Sequence, residues 1–204
     1  MATRMSPTER REAIVDATLA VMLRQGMAAT TARDVAHEMG TSSGLIHHYF
    51  ASMDELHAAA FERAAAKGLE ATQDALAGPT SADPVGRVQT FFATYVRAEQ
   101  DWAFQLWLDA WSEASRRPVV REVSQRLNVA WQQLLAGEIR GGVAAGSFRC
   151  ADPDAAAWRI LSLLDGLALQ TVAHRVDLDR EAVVAWSVAY AETELGLSPG
   201  ALEA

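Results

Sequence analysis

Thr30–Phe50, TTARDVAHEMGTSSGLIHHYF, is the stretch that decides the fold. Thr31 is placed to cap a helix, and Asp34 three residues later closes a capping box. Ala32, Val35, Ala36 and Met39 then fall at i, i+3, i+4 and i+7, which gives that helix one apolar face. Gly40 follows the last apolar residue, where helices commonly end in the left-handed conformation. Ser42 is placed to cap a second helix, Ser43 to Tyr49. That helix carries two histidines, a tyrosine and small polar residues, more polar surface than a buried helix needs. Two short helices around a glycine turn have the layout of a helix-turn-helix, whose second helix enters the DNA major groove.

Working outward, Ser6, Pro7 and Glu9 mark the start of a helix from about Pro7 to Gln25. Its stripe of Ile14, Ala17, Thr18 and Val21 is suited to cover the helix-turn-helix, and Gly26 ends it. A fourth helix opens after Ser52, with Asp54 and Glu55 near its positive end, and continues through HAAAFERAAAKGLEATQDAL. GPTSADP, residues 78–84, is the clearest linker. Helices are expected at about 85–99, 102–115, 119–145, 153–174 and 180–195, and the tail after Gly196 is expected to fray. No alternating strand pattern, hairpin signal or repeat stands out. The expected fold is all-α with about nine helices. Residues 1–53 form a three-helix DNA-binding bundle and 54–204 a larger helical part for ligand binding and dimerisation.

A chain of 204 residues can bury a full core as one domain or as a small domain fused to a larger one. No apolar run approaches the length of a membrane span, and MATRMSPTERRE lacks a signal-peptide core. Cys150 is the single cysteine, which excludes an internal disulfide framework and fits a reducing compartment. These features predict a cytoplasmic protein with no membrane partner.

Thr31, Arg33, Asp34, Ala36, Gly40, Ser42, Gly44, Tyr49 and Phe50 together resemble the DNA-binding segment of the TetR family of bacterial transcriptional regulators. The run GLIHHYF looks closest to the branch that includes the choline-responsive BetI repressors. The resemblance is specific over Thr8–Leu56 and looser beyond. It implies that Arg33, at the start of the first short helix, lies near the major groove. Ser43, Gly44, Leu45 and His47 occupy the exposed front of the recognition helix, where short side chains let the backbone approach DNA and Leu45 can meet a thymine methyl. Thr31 and Tyr49 read as phosphate contacts, with Ser42 beside them. His48 is open between core packing, phosphate and base contact, and Ile46 and Phe50 read as core.

The charge departs from the pattern of a DNA-binding domain, which is basic. Residues 1–57 hold five arginines against seven acidic residues, a formal charge of −2. Family members commonly carry a lysine before the recognition-helix glycine and another at the start of the fourth helix. Ser43 and Met53 stand there instead, and His47 replaces a frequent tyrosine. His37, His47, His48 and His57 also lie in this segment, and their full protonation would bring the sum to +2. A metal site is the rival use of these histidines. His47 and His48, adjacent on a helix, diverge by about 100°, and no HExxH or Cys-His spacing occurs. No metal or cofactor is expected.

The second informative region is YVRAEQDWAFQLWLDAWSEASRR, residues 95–117. Trp107 and Trp111 share a helical face with Phe104, and Asp109 and Glu113 form a further i, i+4 pair. Trp131, Trp158 and Trp186 follow on later helices; the last two read as core. The resemblance implies an effector pocket among helices four to seven, for which Phe104, Trp107, Asp109, Trp111, Glu113 and Trp131 are the candidates. WLDAWSEA and GSFRCADPDAAAWRILSLLDGLALQ are similar to the BetI-like branch, with Asp165 in the DGL of the penultimate helix. Aromatic faces beside carboxylates suit a cationic, choline-like effector; a hydrophobic metabolite fits equally.

The reading is a homodimeric repressor of double-stranded operator DNA, released by a small molecule. Leu161, Leu164, Leu169, Val172, Val184 and Val188 on the last two helices are expected to form the dimer surface. The alternative is a TetR-like ligand-binding protein with weak or lost DNA binding. No enzyme is expected: paired catalytic carboxylates and a phosphate-cradling loop are not found, and Cys150 has no recognisable partner.

Overall fold

A computed structural model describes residues 5–78, 83–95, 101–174 and 178–202. Among them the only regular elements are helices: α1 (Pro7–Gln25), α2 (Ala32–Glu38), α3 (Ser43–Tyr49), α4 (Met53–Ala77), α5 (Pro84–Tyr95), α6 (Asp101–Ala114), α7 (Pro118–Ala144), α8 (Pro153–His174) and α9 (Arg180–Leu195). All-α architecture is thus as the sequence predicts.

Local chemistry sets the helix starts. Ser6 and Glu9 form a capping box at α1, and Thr31 and Asp34 form one at α2. The side chain of Asp83 accepts the N–H of Val85 (2.9 Å) and of Gly86 (3.0 Å), which satisfies the first turn of α5. Residues 79–82 of the expected linker and 96–100 at the expected end of the fifth helix lie outside the described residues. Ser42 is a correction: it stands at the N-cap of α3 but its side chain makes no capping hydrogen bond.

Two compact units form, and α4, α6 and α7 each contribute to both. The first comprises Met1–Ala66 and Leu106–Leu127. Its core joins Ile14 and Met22 of α1, Val35 of α2, Ile46 and Phe50 at α3, Leu56 and Phe61 of α4, and Leu106, Ala110 and Val120. The helix-turn-helix therefore shares one apolar core with α6 and α7 segments. The second unit comprises Lys67–Gln105 and Asn128–Ala204, with Phe91, Leu135, Ile139, Ile160, Leu161 and Leu164 fully buried. At the end of α7, a Cβ on Gly142 would lie 2.0 Å from the Phe148 ring, so only glycine lets this buried phenylalanine fold back onto the helix.

Three further expectations need correction. The tail does not fray as far as it is described: Glu192, buried, accepts the N–H of Gly200 (3.0 Å) and Leu202 (2.8 Å), and Leu202 is itself buried. Trp158 and Trp186 are not core in the single chain, being 39% and 56% exposed. Leu161, Leu164 and Val188 are buried within their own chain and offer little surface to a second one. Helical spacing groups residues on a face but does not say whether that face turns inward.

Candidate nucleic-acid interface and effector site

Helices α2 and α3 pack through Val35, Ala36 and Ile46 and turn their other faces outward. Between them lies an open recess of about 420 Å³ lined by Thr31, Ala32, Arg33, Ser43 and His47. The structure thus brings together four of the residues singled out in the sequence. Gly44, His48 and Ser42 are exposed, and Leu45 and Tyr49 are half-buried, with the His48 and Tyr49 rings edge to face at 5.2 Å. A Cβ on Gly44 would meet nothing closer than Ser42 Oγ at 3.7 Å, an ordinary contact. The protein's own packing therefore does not demand glycine there.

The charged groups divide into paired and unpaired. Arg24 is bound to Glu38 at 2.6 Å, and Arg11 lies 3.9 Å from Glu55 and 4.5 Å over the Phe50 ring. Arg33 is exposed and forms no ion pair among the described residues. Thr31 donates both its hydroxyl (2.6 Å) and its N–H (2.9 Å) to Asp34. These bonds, the hydroxyl first, hold the Asp34 carboxyl below its usual range. Both donors of Thr31 are therefore engaged, and its hydroxyl oxygen and carbonyl accept the N–H groups of Asp34 and Val35, so a phosphate would have to displace the bond to Asp34.

His57 differs from the other histidines of this unit. It is buried, with Nε2 3.1 Å from the Thr30 carbonyl and Nδ1 3.0 Å from Nη1 of Arg117. A carbonyl only accepts, so Nε2 carries the proton, and Nδ1 accepts from Arg117. Burial first, and then the Arg117 charge, lower its pKa. The lowered pKa favours the neutral ring, and both ring nitrogens are bound inside the unit, so His57 is withdrawn from the charge the histidines could offer DNA.

The effector candidates fall into two groups. Trp107, Trp111, Asp109 and Glu113 belong to the first unit, where Trp107 meets Phe61 edge-on at 4.9 Å and lies 5.7 Å from Trp111. Both carboxylates are engaged: Asp109 Oδ2 accepts the Met27 N–H (3.0 Å) and Glu113 accepts from Arg117 (2.6 Å). Phe104 and Trp131 belong to the second unit and join a cluster that the sequence reading missed. Tyr95 is its centre, 4.6 Å from Trp131, 5.6 Å from Phe91 and 6.4 Å from Phe104, centroid to centroid. Its hydroxyl donates to Asp165 Oδ1 at 2.6 Å. Burial pushes the Asp165 carboxyl up to about 6, and the Tyr95 hydrogen bond opposes the shift. Tyr95 and Asp165 are 70 residues apart, and only the DGL run hinted at the aspartate.

A helix-turn-helix with an outward recess of polar and basic side chains, in a chain that also carries an aromatic-carboxylate cluster on its later helices, defines a class of DNA-binding regulator with a ligand-binding part. Residues 14–60 match the bacterial regulatory proteins of the tetR family, and residues 84–196 match the C-terminal part of BetI-type transcriptional repressors. The chain is 32% identical to the transcriptional regulator BetI of Rhizobium meliloti (strain 1021), over 91% of this chain and 89% of that protein. It is 29% identical to BetI of Paraburkholderia xenovorans (strain LB400), over 86% and 88%. Among solved structures, a transcriptional regulator from Saccharomonospora viridis in complex with choline superposes with a TM-score of 0.82, at 25% identity and over 91% and 96% of the two chains. The chain belongs to the TetR family, with a BetI-type C-terminal part. It is a DNA-binding regulator of transcription, of a family that regulates rather than catalyses. Among the described residues no helix is long and apolar enough to cross a membrane.

Proposed function

We propose that this protein is a homodimeric cytoplasmic repressor that leaves a palindromic operator when it binds a small organic cation of the choline type. A single recognition helix reads too few base pairs, and a two-fold dimer presents two to successive major grooves. Arg33, Ser43, Leu45 and His47 read base edges, and Gly44 lets the recognition-helix backbone approach them. Thr31, Ser42, His48 and Tyr49 flank them toward phosphate, with the Thr31 hydroxyl exchanging its bond to Asp34 for one donated to a phosphate oxygen.

The observation that carries the effector reading is the half-buried Asp165 carboxylate, which accepts from Tyr95 at the centre of a ring cluster with Trp131, Phe91 and Phe104. Ring faces attract a quaternary ammonium, and a partly desolvated carboxylate gains from a cation that neutralises it. The cation then sits beside Asp165 rather than Asp109 or Glu113, whose oxygens already serve the first unit. The choline complex of the Saccharomonospora viridis relative supports the ligand class. Release follows if the cation binds the arrangement unable to hold the operator better than the competent one.

A duplex selected from a randomised pool by the purified protein tests both halves. Arg33→Ala and His47→Ala should each weaken binding to it by about 1–3 kcal/mol, the cost of a lost base contact. Choline chloride should quench tryptophan fluorescence and release the duplex, and Asp165→Asn should lose both effects while still binding DNA. Quenching and release unchanged in Asp165→Asn would remove the carboxylate from the site. The reading as a ligand-binding protein with weak DNA affinity draws support from the acidic helix-turn-helix segment. Under it choline binds as described but the randomised pool yields no selected duplex.

A further inference from the structure

The loop between α1 and α2, Gly26–Thr30, is tied down by side chains from elsewhere in the first unit. Inside the loop, Thr30 N–H donates to the Met27 carbonyl (3.2 Å) and the Thr30 hydroxyl to the Gly26 carbonyl (2.8 Å). Its other buried polar groups look outward for partners. Met27 N–H donates to Asp109 of α6, 82 residues away, and the Thr30 carbonyl accepts from His57 of α4. His57 is fixed in turn by Arg117, which also donates to Glu113 (2.6 Å) and Asp54 (2.8 Å). The donors therefore run one way, from Arg117 through His57 to Thr30. Residue 31, the next in the chain, is the N-cap of α2.

We propose that Asp109 and the Arg117–His57 pair are positioning residues for DNA reading: they fix the α1–α2 loop through Met27 and Thr30 and so set where α2 begins and how α2 and α3 face DNA. Apolar contacts also hold the two helices, but burial is non-directional. Hydrogen bonds of defined length and angle fix direction. None of the three side chains lies among those lining the outward recess beside Arg33 and His47. Their effect on DNA therefore passes through the loop, and the inference does not depend on which effector the protein binds.

Shape and chemistry are separable by substitution. Asp109→Asn keeps an acceptor for Met27, and His57→Gln keeps a donor for Thr30 and an acceptor for Arg117. Asp109→Leu and His57→Leu keep bulk and lose the bonds. The full-length variants are titrated with the duplex selected by the wild type and with a random duplex of equal length. Each leucine variant should lose about tenfold or more on the selected duplex, the scale of one hydrogen bond to a charged or buried group. Both should match the wild type on the random duplex, where phosphate attraction dominates. The Asn and Gln variants should stay within about threefold of wild type on both. Equal loss on the two duplexes, no loss on either, or Asn and Gln variants as impaired as the leucine ones would each overturn the proposal. If a leucine variant fails to fold, Arg117→Gln, at the more exposed end of the chain of bonds, carries the same comparison. A folded Arg117→Gln with wild-type affinity for the selected duplex refutes the positioning role.

Discussion

Burial acts on His57 and Asp165 in the same sense, against the charged form, but moves their pKa values in opposite directions. His57 is lowered, so the unfolded chain binds its proton more readily than the folded one. Its contribution to stability is full above the unfolded value near 6.5 and is lost as pH falls through the folded value. Wild-type thermal stability should therefore drop on acidification below about pH 6.5 more steeply than that of His57→Gln, which has no proton to gain. Identical pH profiles would show that His57 protonates without cost. Asp165 is raised to about 6, so its folded form holds a proton at acid pH that a bound cation must expel. Choline affinity should be constant above pH 7 and fall below about 6, approaching tenfold per pH unit. In Asp165→Asn choline should give no quenching at any pH across this range.

At the scale of the element, the loop after α7 shows how one missing methylene shapes a turn. The amides of Ser147 and Phe148 both donate to the Gly142 carbonyl, at 2.9 and 3.2 Å, and the Phe148 ring covers the place a Cβ would take. Gly142→Ala should cost roughly 1–3 kcal/mol, the range for overpacking a filled core, because a buried ring must move. A melting temperature equal to wild type would show that the ring moves freely. Such close approaches, like the pairing of Tyr95 with Asp165, join residues far apart in sequence or in rotamer space, and no local pattern announces them. The caps of α1 and α2 were legible because Ser6 with Glu9 and Thr31 with Asp34 satisfy neighbours three residues away. The outward faces of α2 and α3 were legible for the same reason, since Val35, Ala36 and Ile46 mark the inward side by spacing alone. In α6 the spacing put Trp107, Trp111, Asp109 and Glu113 on view as a candidate site. Their partners, Phe61, Met27 and Arg117, decide what they do, and Met27 lies 82 residues from Asp109.

For the molecule as a whole, the second unit presents an apolar surface that a single chain leaves in water. Trp158 and Trp186 stand exposed on α8 and α9, and an open recess of about 460 Å³ is lined by Trp158, Arg159, Ser162, Leu163 and Tyr190. Arg159 is held by Glu194 at 2.9 and 2.5 Å, and Tyr190 donates to the same carboxylate at 2.7 Å, which leaves the rim of the recess well defined. TetR regulators dimerise, and we expect this surface, with half-buried Leu169, Val172 and Val184, to be the seat of the partner subunit. Two indole rings supply only part of the roughly 800 Å² per partner that a stable interface buries. A single substitution should therefore weaken the dimer without abolishing it. Trp186→Glu should raise the dimer dissociation constant, and Trp158→Glu with Trp186→Glu should give monomers, since a two-fold axis places every new charge at the interface twice. Loss of the dimer should cost operator affinity but leave helix content and thermal unfolding of the isolated chain in place. Sedimentation at micromolar concentration reads the mass directly. A wild-type protein that sediments as a monomer, or a double variant that remains a dimer, would move the interface away from α8 and α9.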